Sequence, residues 1–131
     1  MTAPASKTFC ILPWVHVYAN PDGNVLPCCV GDYRLPMGNI QNSTLEQTFN
    51  NDKFKTMRKN MLQGKSCKEC SACYRDEADN NDSFRKSSNL QFEKYIPNAL
   101  TNTNDDGSLD DYKLRYLDIR WSNICNYKCR S

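Results

Sequence analysis

Phe9-Cys10-Ile11-Leu12-Pro13-Trp14-Val15-His16-Val17-Tyr18-Ala19-Asn20-Pro21-Asp22-Gly23-Asn24-Val25-Leu26-Pro27-Cys28-Cys29-Val30 reads as a β-hairpin with a cysteine near each end. Val15, Val17 and Ile11 alternate with other residues, the period of a half-buried strand. Asn20-Pro21-Asp22-Gly23 supplies the turn, because proline presets φ and glycine accepts the positive φ that closes it. Val25 and Leu26 begin the return strand, and Pro27, which has no N–H to donate, ends its ladder. Twelve residues separate Cys10 from Gly23 and four separate Gly23 from Cys28. The turn lies between them, so both thiols come to the same side of one two-stranded unit.

Beyond the hairpin, Ser43-Thr44-Leu45-Glu46 matches a capping box and opens a helix carrying Leu45 and Phe49 on one face. A second helix is predicted over Asp52–Leu62, where Phe54, Met57, Met61 and Leu62 follow helical spacing, the Phe and Met positions are core contacts and Gly64 is the stop. The cluster Lys53, Lys55, Arg58, Lys59 reads as that helix's solvated face. Tyr74–Ala78 reads as helical, and a further helix is expected over Ser88–Tyr95, ending before Pro97. Residues 98–111, rich in Asn, Asp and Thr, read as a linker or exposed loop. Leu114, Tyr116, Leu117, Ile119 and Trp121 then form a strand-like run.

Eight cysteines in 131 residues are the main chemical signal. Met1 to Lys7 has no apolar core of a signal peptide, which points to a reducing cytoplasmic setting where clustered cysteines hold metal rather than pair as disulfides. A net charge of +2 supplies no field for nucleic acid, and no apolar run reaches the ~20 residues that span a bilayer. At 39% hydrophobic residues and a mean hydropathy of −0.75, the core is modest and a metal staple suits it.

Cys67-Lys68-Glu69-Cys70-Ser71-Ala72-Cys73 holds two overlapping C-x-x-C pairs, a spacing that wraps two sulfurs around one centre. Two thiols from the hairpin and two from this run make four, and the favoured set is Cys10, Cys28, Cys70 and Cys73. Cys28 is preferred to Cys29 for its spacing to Gly23; Cys67 remains an alternative to Cys70. Spacing leaves both zinc and a 4Fe–4S cluster open, since either accepts four thiolates. His16, the sole histidine, reads as a hydrogen-bonded structural residue.

Taken together, Cys10 to His16, Pro21-Asp22-Gly23, Pro27-Cys28-Cys29, Gly38-Asn39-Ile40, Leu45-Glu46-Gln47, Arg58-Lys59, Leu62-Gln63-Gly64, Cys70-x-x-Cys73-Tyr74, Glu77 and Ser83-x-Arg85 resemble a SPASM or twitch domain. Such domains carry auxiliary 4Fe–4S clusters in radical S-adenosylmethionine enzymes. The tail, from Tyr116-Leu117-Asp118-Ile119-Arg120-Trp121-Ser122-Asn123 to Cys125 and Cys129, is similar to the first barrel strand and C-x-x-x-C-x-x-C loop of a radical SAM core. In that family three such cysteines hold a 4Fe–4S cluster that binds S-adenosylmethionine; Cys125 and Cys129 match two of them, and the third would stand just past Ser131.

The resemblance implies an auxiliary-cluster domain over residues 8–97, a linker over 98–113, and over 114–131 the start of a core whose remaining barrel is the partner. The cluster would relay electrons or position a substrate, a peptide or small molecule, and no membrane or nucleic-acid partner is implied. The expected fold is α+β, a small cysteine-rich domain with an N-terminal hairpin, several short helices around the iron–sulfur site and an isolated C-terminal strand. A zinc-stabilised structural or binding module is the alternative function.

Overall fold

The computed structural model describes residues 6–111 and 113–120. The hairpin forms, but it is shorter than the alternation implies. Leu12–Val15 is a helical turn, α1, with a proline in its first turn, and only His16–Ala19 is extended, as β1. Proline's fixed φ and missing N–H suit the opening of a helix, so Pro13 converts the expected start of the strand into a turn. Ala19 and Tyr18 pair antiparallel with Val25 and Leu26 of β2, Asn24–Leu26. Gly23 closes the turn at φ 87°, and a Cβ there would stand 2.7 Å from the Asn39 side-chain oxygen. The two-residue strand β3, Gly38–Asn39, lies antiparallel on the other edge of β2.

Helix α2 covers Leu45–Phe49 and is capped one residue later than the sequence suggested. Thr44 accepts from the Gln47 N–H at 3.1 Å, and Gln47 accepts from the Thr44 N–H at 3.0 Å. Ser43 cannot serve because it still belongs to the bend that leaves β3. Helix α3 spans Asp52–Leu62, with Asn51 as its cap. Phe54, Met57 and Met61 turn inward onto Phe9, Ile11, Leu12 and Val17, all at most 3% exposed. A 3₁₀ turn over Lys68–Cys70 runs into α4, Ser71–Ala78.

The next helix, α5, is Phe84–Gln91 rather than Ser88–Tyr95. Ser83 decides this, since its hydroxyl accepts the Lys86 N–H at 3.2 Å and fixes the start. Pro97 likewise does not end a helix: it sits in the first turn of α6, Ile96–Asn102, where its absent N–H costs nothing. The stretch expected to be a linker therefore begins as a helix, and its remainder is fastened down. Asn50 donates to the Leu109 carbonyl at 2.8 Å and accepts its N–H at 2.9 Å, and Trp14 Nε1 donates to Thr103 Oγ1 at 2.8 Å.

The last strand, β4, covers Tyr116–Ile119. It is not isolated. It pairs parallel with β1, His16 opposite Tyr116 and Ala19 opposite Ile119, giving a four-stranded sheet in the order β3-β2-β1-β4. The otherwise bare edge of β1 explains the docking, because its backbone groups find partners only there. The fold is α+β. Trp121, Cys125 and Cys129 lie outside the described residues.

Candidate metal centre

Four elements bring one thiol each to a common pocket. Cys10 stands just before α1, Cys28 follows β2, Cys70 ends the 3₁₀ turn and Cys73 lies in the first turn of α4. All four line a pocket whose other walls are Leu12, Pro13, Pro27, Val30, Gly31, Met61, Phe84 and Arg85. The walls are apolar apart from Arg85. The loop after Cys28 is tied to the turn before α4 by the Asp32 N–H, which donates to the Glu69 carbonyl at 3.0 Å. At Gly31 a Cβ would approach Pro27 to 3.0 Å and the Cys28 carbonyl to 3.2 Å, so any larger residue would press the loop outward where it folds back around Cys28.

Of the other cysteines, Cys29 is exposed, as expected of a strand-end neighbour that points to the opposite side. Cys67 is buried close to Cys70 but outside the lining of the pocket, its Sγ 3.9 Å from the Met57 carbonyl and its N–H donating to the Tyr74 hydroxyl at 3.2 Å. The described cysteines are free thiols.

The electrostatics of the pocket oppose each other. Burial pushes the thiols of Cys10 and Cys28 up to about 12, and it raises Cys73 as well. Cys70 is raised by burial and then by the crowd of thiols around it, Cys67, Cys10, Cys28 and Cys73. Backbone amides pull the other way. The Leu12 N–H favours a thiolate at Cys10, those of Val30 and Gly31 at Cys28, and those of Arg85 and Phe84 at Cys73. Phe84 and Arg85 form the first turn of α5, whose free N–H groups carry partial positive charge.

Peptide dipoles aimed at buried sulfur are of no use to a neutral thiol core. They suit thiolates, and several buried thiolates together require a cationic partner. The donor set therefore fits a metal centre. A single tetrahedral zinc would need sulfurs within roughly 4 Å of each other. Among the described residues, no three Cys, His, Asp or Glu side chains are grouped to hold one metal ion.

A polar network holds the Cys10 end of the pocket. Arg85 donates to the Phe9 carbonyl at 2.8 Å, and the Asn89 side chain donates to the same oxygen at 3.0 Å while accepting the Ile11 N–H at 2.8 Å. The peptides on both sides of Cys10 are thus clamped. Arg85 is paired with Glu77 at 2.8 and 2.5 Å, and Ser83 donates to the same carboxylate at 2.7 Å. The guanidinium and hydroxyl hold Glu77 below the usual carboxylate range. Asn89 was invisible in the sequence because nothing in its spacing ties it to Cys10, 79 positions away.

His16 is buried and structural, its Nδ1 2.8 Å from the Tyr116 carbonyl and its ring stacked on Tyr116. A cleft of about 600 Å³ beside α6 is open to solvent and is lined by no thiol.

Residues 10–74 match the family model of SPASM, the iron–sulfur cluster-binding domain. This segment is a SPASM domain. The SPASM match begins at Cys10 and ends one residue after Cys73, so it contains every thiol of the pocket. Iron–sulfur cluster binding is the property that the SPASM match assigns to the segment. Searches of the curated proteins and of the solved structures returned no match. No helix among the described residues is long and apolar enough to cross a membrane.

Proposed function

We propose that Cys10, Cys28, Cys70 and Cys73 hold an auxiliary 4Fe–4S cluster, and that the chain is part of a radical S-adenosylmethionine enzyme. The carrying observation is the coincidence of the SPASM segment with four thiols on one pocket, Cys10, Cys28 and Cys73 buried and Cys70 half-buried. A 4Fe–4S cluster supplies one-electron transfer, and four protein thiolates leave no iron open to a substrate, which favours relay over substrate ligation. The chain's own contribution is to hold the sulfurs on rigid elements, to favour their anionic form through the amides of Leu12, Val30, Gly31, Phe84 and Arg85, and to exclude water with Leu12, Met61 and Phe84.

The link to a radical SAM core rests on the tail. The stretch from Tyr116 through Cys125 to Cys129 resembles the core's first strand and cluster loop, and β4 at its start is hydrogen-bonded to β1. On this reading residues 8–97 are the auxiliary domain and Cys125 and Cys129 are two ligands of a second, S-adenosylmethionine-binding cluster. The 98–113 segment joins the two, and the working setting is a reducing cytoplasm.

Anaerobic reconstitution of the chain with ferrous iron and sulfide tests the auxiliary site. A brown protein with broad visible absorption is expected, with iron and sulfide contents that fall in Cys10→Ser and Cys73→Ser. A colourless product holding one zinc per chain would replace this reading by the zinc-stabilised module.

A further inference from the structure

Resting on the assignment of the thiol pocket to an iron–sulfur cluster, we propose that Arg85 is a positioning residue that sets the reduction potential of that centre. It is the one charged side chain lining the pocket among the described residues, and Glu77, its ion-pair partner, is not part of the lining. The guanidinium is only 10% exposed. Its orientation is over-determined: two hydrogen bonds to Glu77 and one to the Phe9 carbonyl use both ends of the fork. Ser83 fixes the carboxylate from the other side, and Asn89 fixes the Phe9 carbonyl. A charge held this firmly inside apolar walls acts in a medium where Coulomb interactions are poorly screened.

The consequence follows from charge arithmetic. A thiolate-ligated cluster gains one unit of negative charge with each electron; the Glu77 carboxylate opposes the guanidinium at Cys73, but Arg85 alone of the pair lines the pocket, so it stabilises the reduced form more than the oxidised one. Arg85 therefore raises the midpoint potential, and because a guanidinium stays protonated it does so at any working pH. The amides of Leu12, Val30 and Gly31 act in the same direction, and of the substitutions only proline would remove one.

A strut would behave differently from a tuning charge. Loss of a strut lowers thermal stability and iron content and leaves the midpoint of the surviving centres where it was. The full chain, its Arg85→Gln variant and its Arg85→Lys variant are reconstituted anaerobically and assayed for iron and labile sulfide. Each is then titrated with dithionite, the electron donor, while the visible absorption is followed. The midpoint should fall in Arg85→Gln and return most of the way to wild type in Arg85→Lys, which keeps the charge and loses the fork. A wild-type midpoint in Arg85→Gln overturns the proposal. If Arg85→Gln takes up no iron, Arg85→Lys decides alone: a midpoint close to wild type despite a lower melting temperature supports the charge, and a clearly lower midpoint overturns it. Failure of the wild-type chain to take up iron and sulfide would instead remove the cluster assignment itself.

Discussion

Arg58 is fully buried and, among the described residues, hydrogen-bonds to no carboxylate. It donates to the carbonyls of Pro13 at 2.9 Å, Phe49 at 2.5 Å and Gly107 at 3.2 Å, and its guanidinium lies over the rings of Phe49 and Phe54. Burial lowers its pKa to about 9, which still leaves it a cation at neutral pH. A lysine cannot reproduce three divergent bonds and two ring contacts. Arg58→Lys should therefore cost about 3 kcal/mol of unfolding free energy, read by urea denaturation; a loss below about 1 kcal/mol would contradict the role.

His16 makes a pH prediction. Its Nδ1 must donate to the Tyr116 carbonyl, which leaves Nε2 bare and buried. Burial outweighs the favourable carbonyl and Asp118 and holds the imidazole below its ordinary 6.5. The unfolded chain thus takes up a proton near 6.5 that the native state refuses. Stability from this group is complete above that pH and declines as pH falls below it. Because His16 is the only histidine, melting temperatures between pH 7.5 and 5.5 should drop for the wild type and stay flatter for His16→Phe.

At the scale of elements, the 103–111 segment behaves as part of the body. Gly107 has φ 90°, and a Cβ there would lie 2.0 Å from the Lys55 carbonyl of α3. Gly107→Ala should cost roughly 2 kcal/mol or more, combining left-handed strain with loss of the Arg58 and Asn50 contacts next to it. Faster amide exchange in residues 103–111 and in β4 would accompany the loss; unchanged stability would show that the segment docks independently of this close approach.

The legible elements were those with strong local signals. Asp52–Leu62 has apolar spacing, a cap and a glycine stop, and its bounds agree with the structure. The expected Ser88–Tyr95 helix failed because a single capping serine outweighs weak periodicity. Arg58, expected on the solvated face, follows Phe54 by four residues and so shares the inward face of α3. Charge obscured a position that periodicity could have found.

For the whole molecule, the decisive coupling is between metal and fold. Cys10, Cys28, Cys70 and Cys73 come from four elements, and a centre that ligates them would cross-link all four. After anaerobic loading, removal of iron by a chelator should lower the melting temperature. Cys70→Ser should abolish that difference and the iron content with it. Cys29→Ser, at an exposed site, should leave both unchanged. Equal iron content in the Cys70 variant would move the ligand role elsewhere, with Cys67 the nearest candidate.

By itself the amino-acid order determined the hairpin turn, the α3 helix, the excess of clustered thiols and the family to which their spacing belongs. Each of these is a local property, written in neighbouring residues. Only the tertiary structure decided that Cys67 and Cys29 do not line the pocket, that β4 closes the edge of β1, and that Arg85 and Asn89 reach back to the peptides flanking Cys10. The docking of β4 and the reach of Arg85 and Asn89 depend on contacts between residues 76 to 100 positions apart. They were settled by which buried donors and carbonyls could find partners once the core had closed.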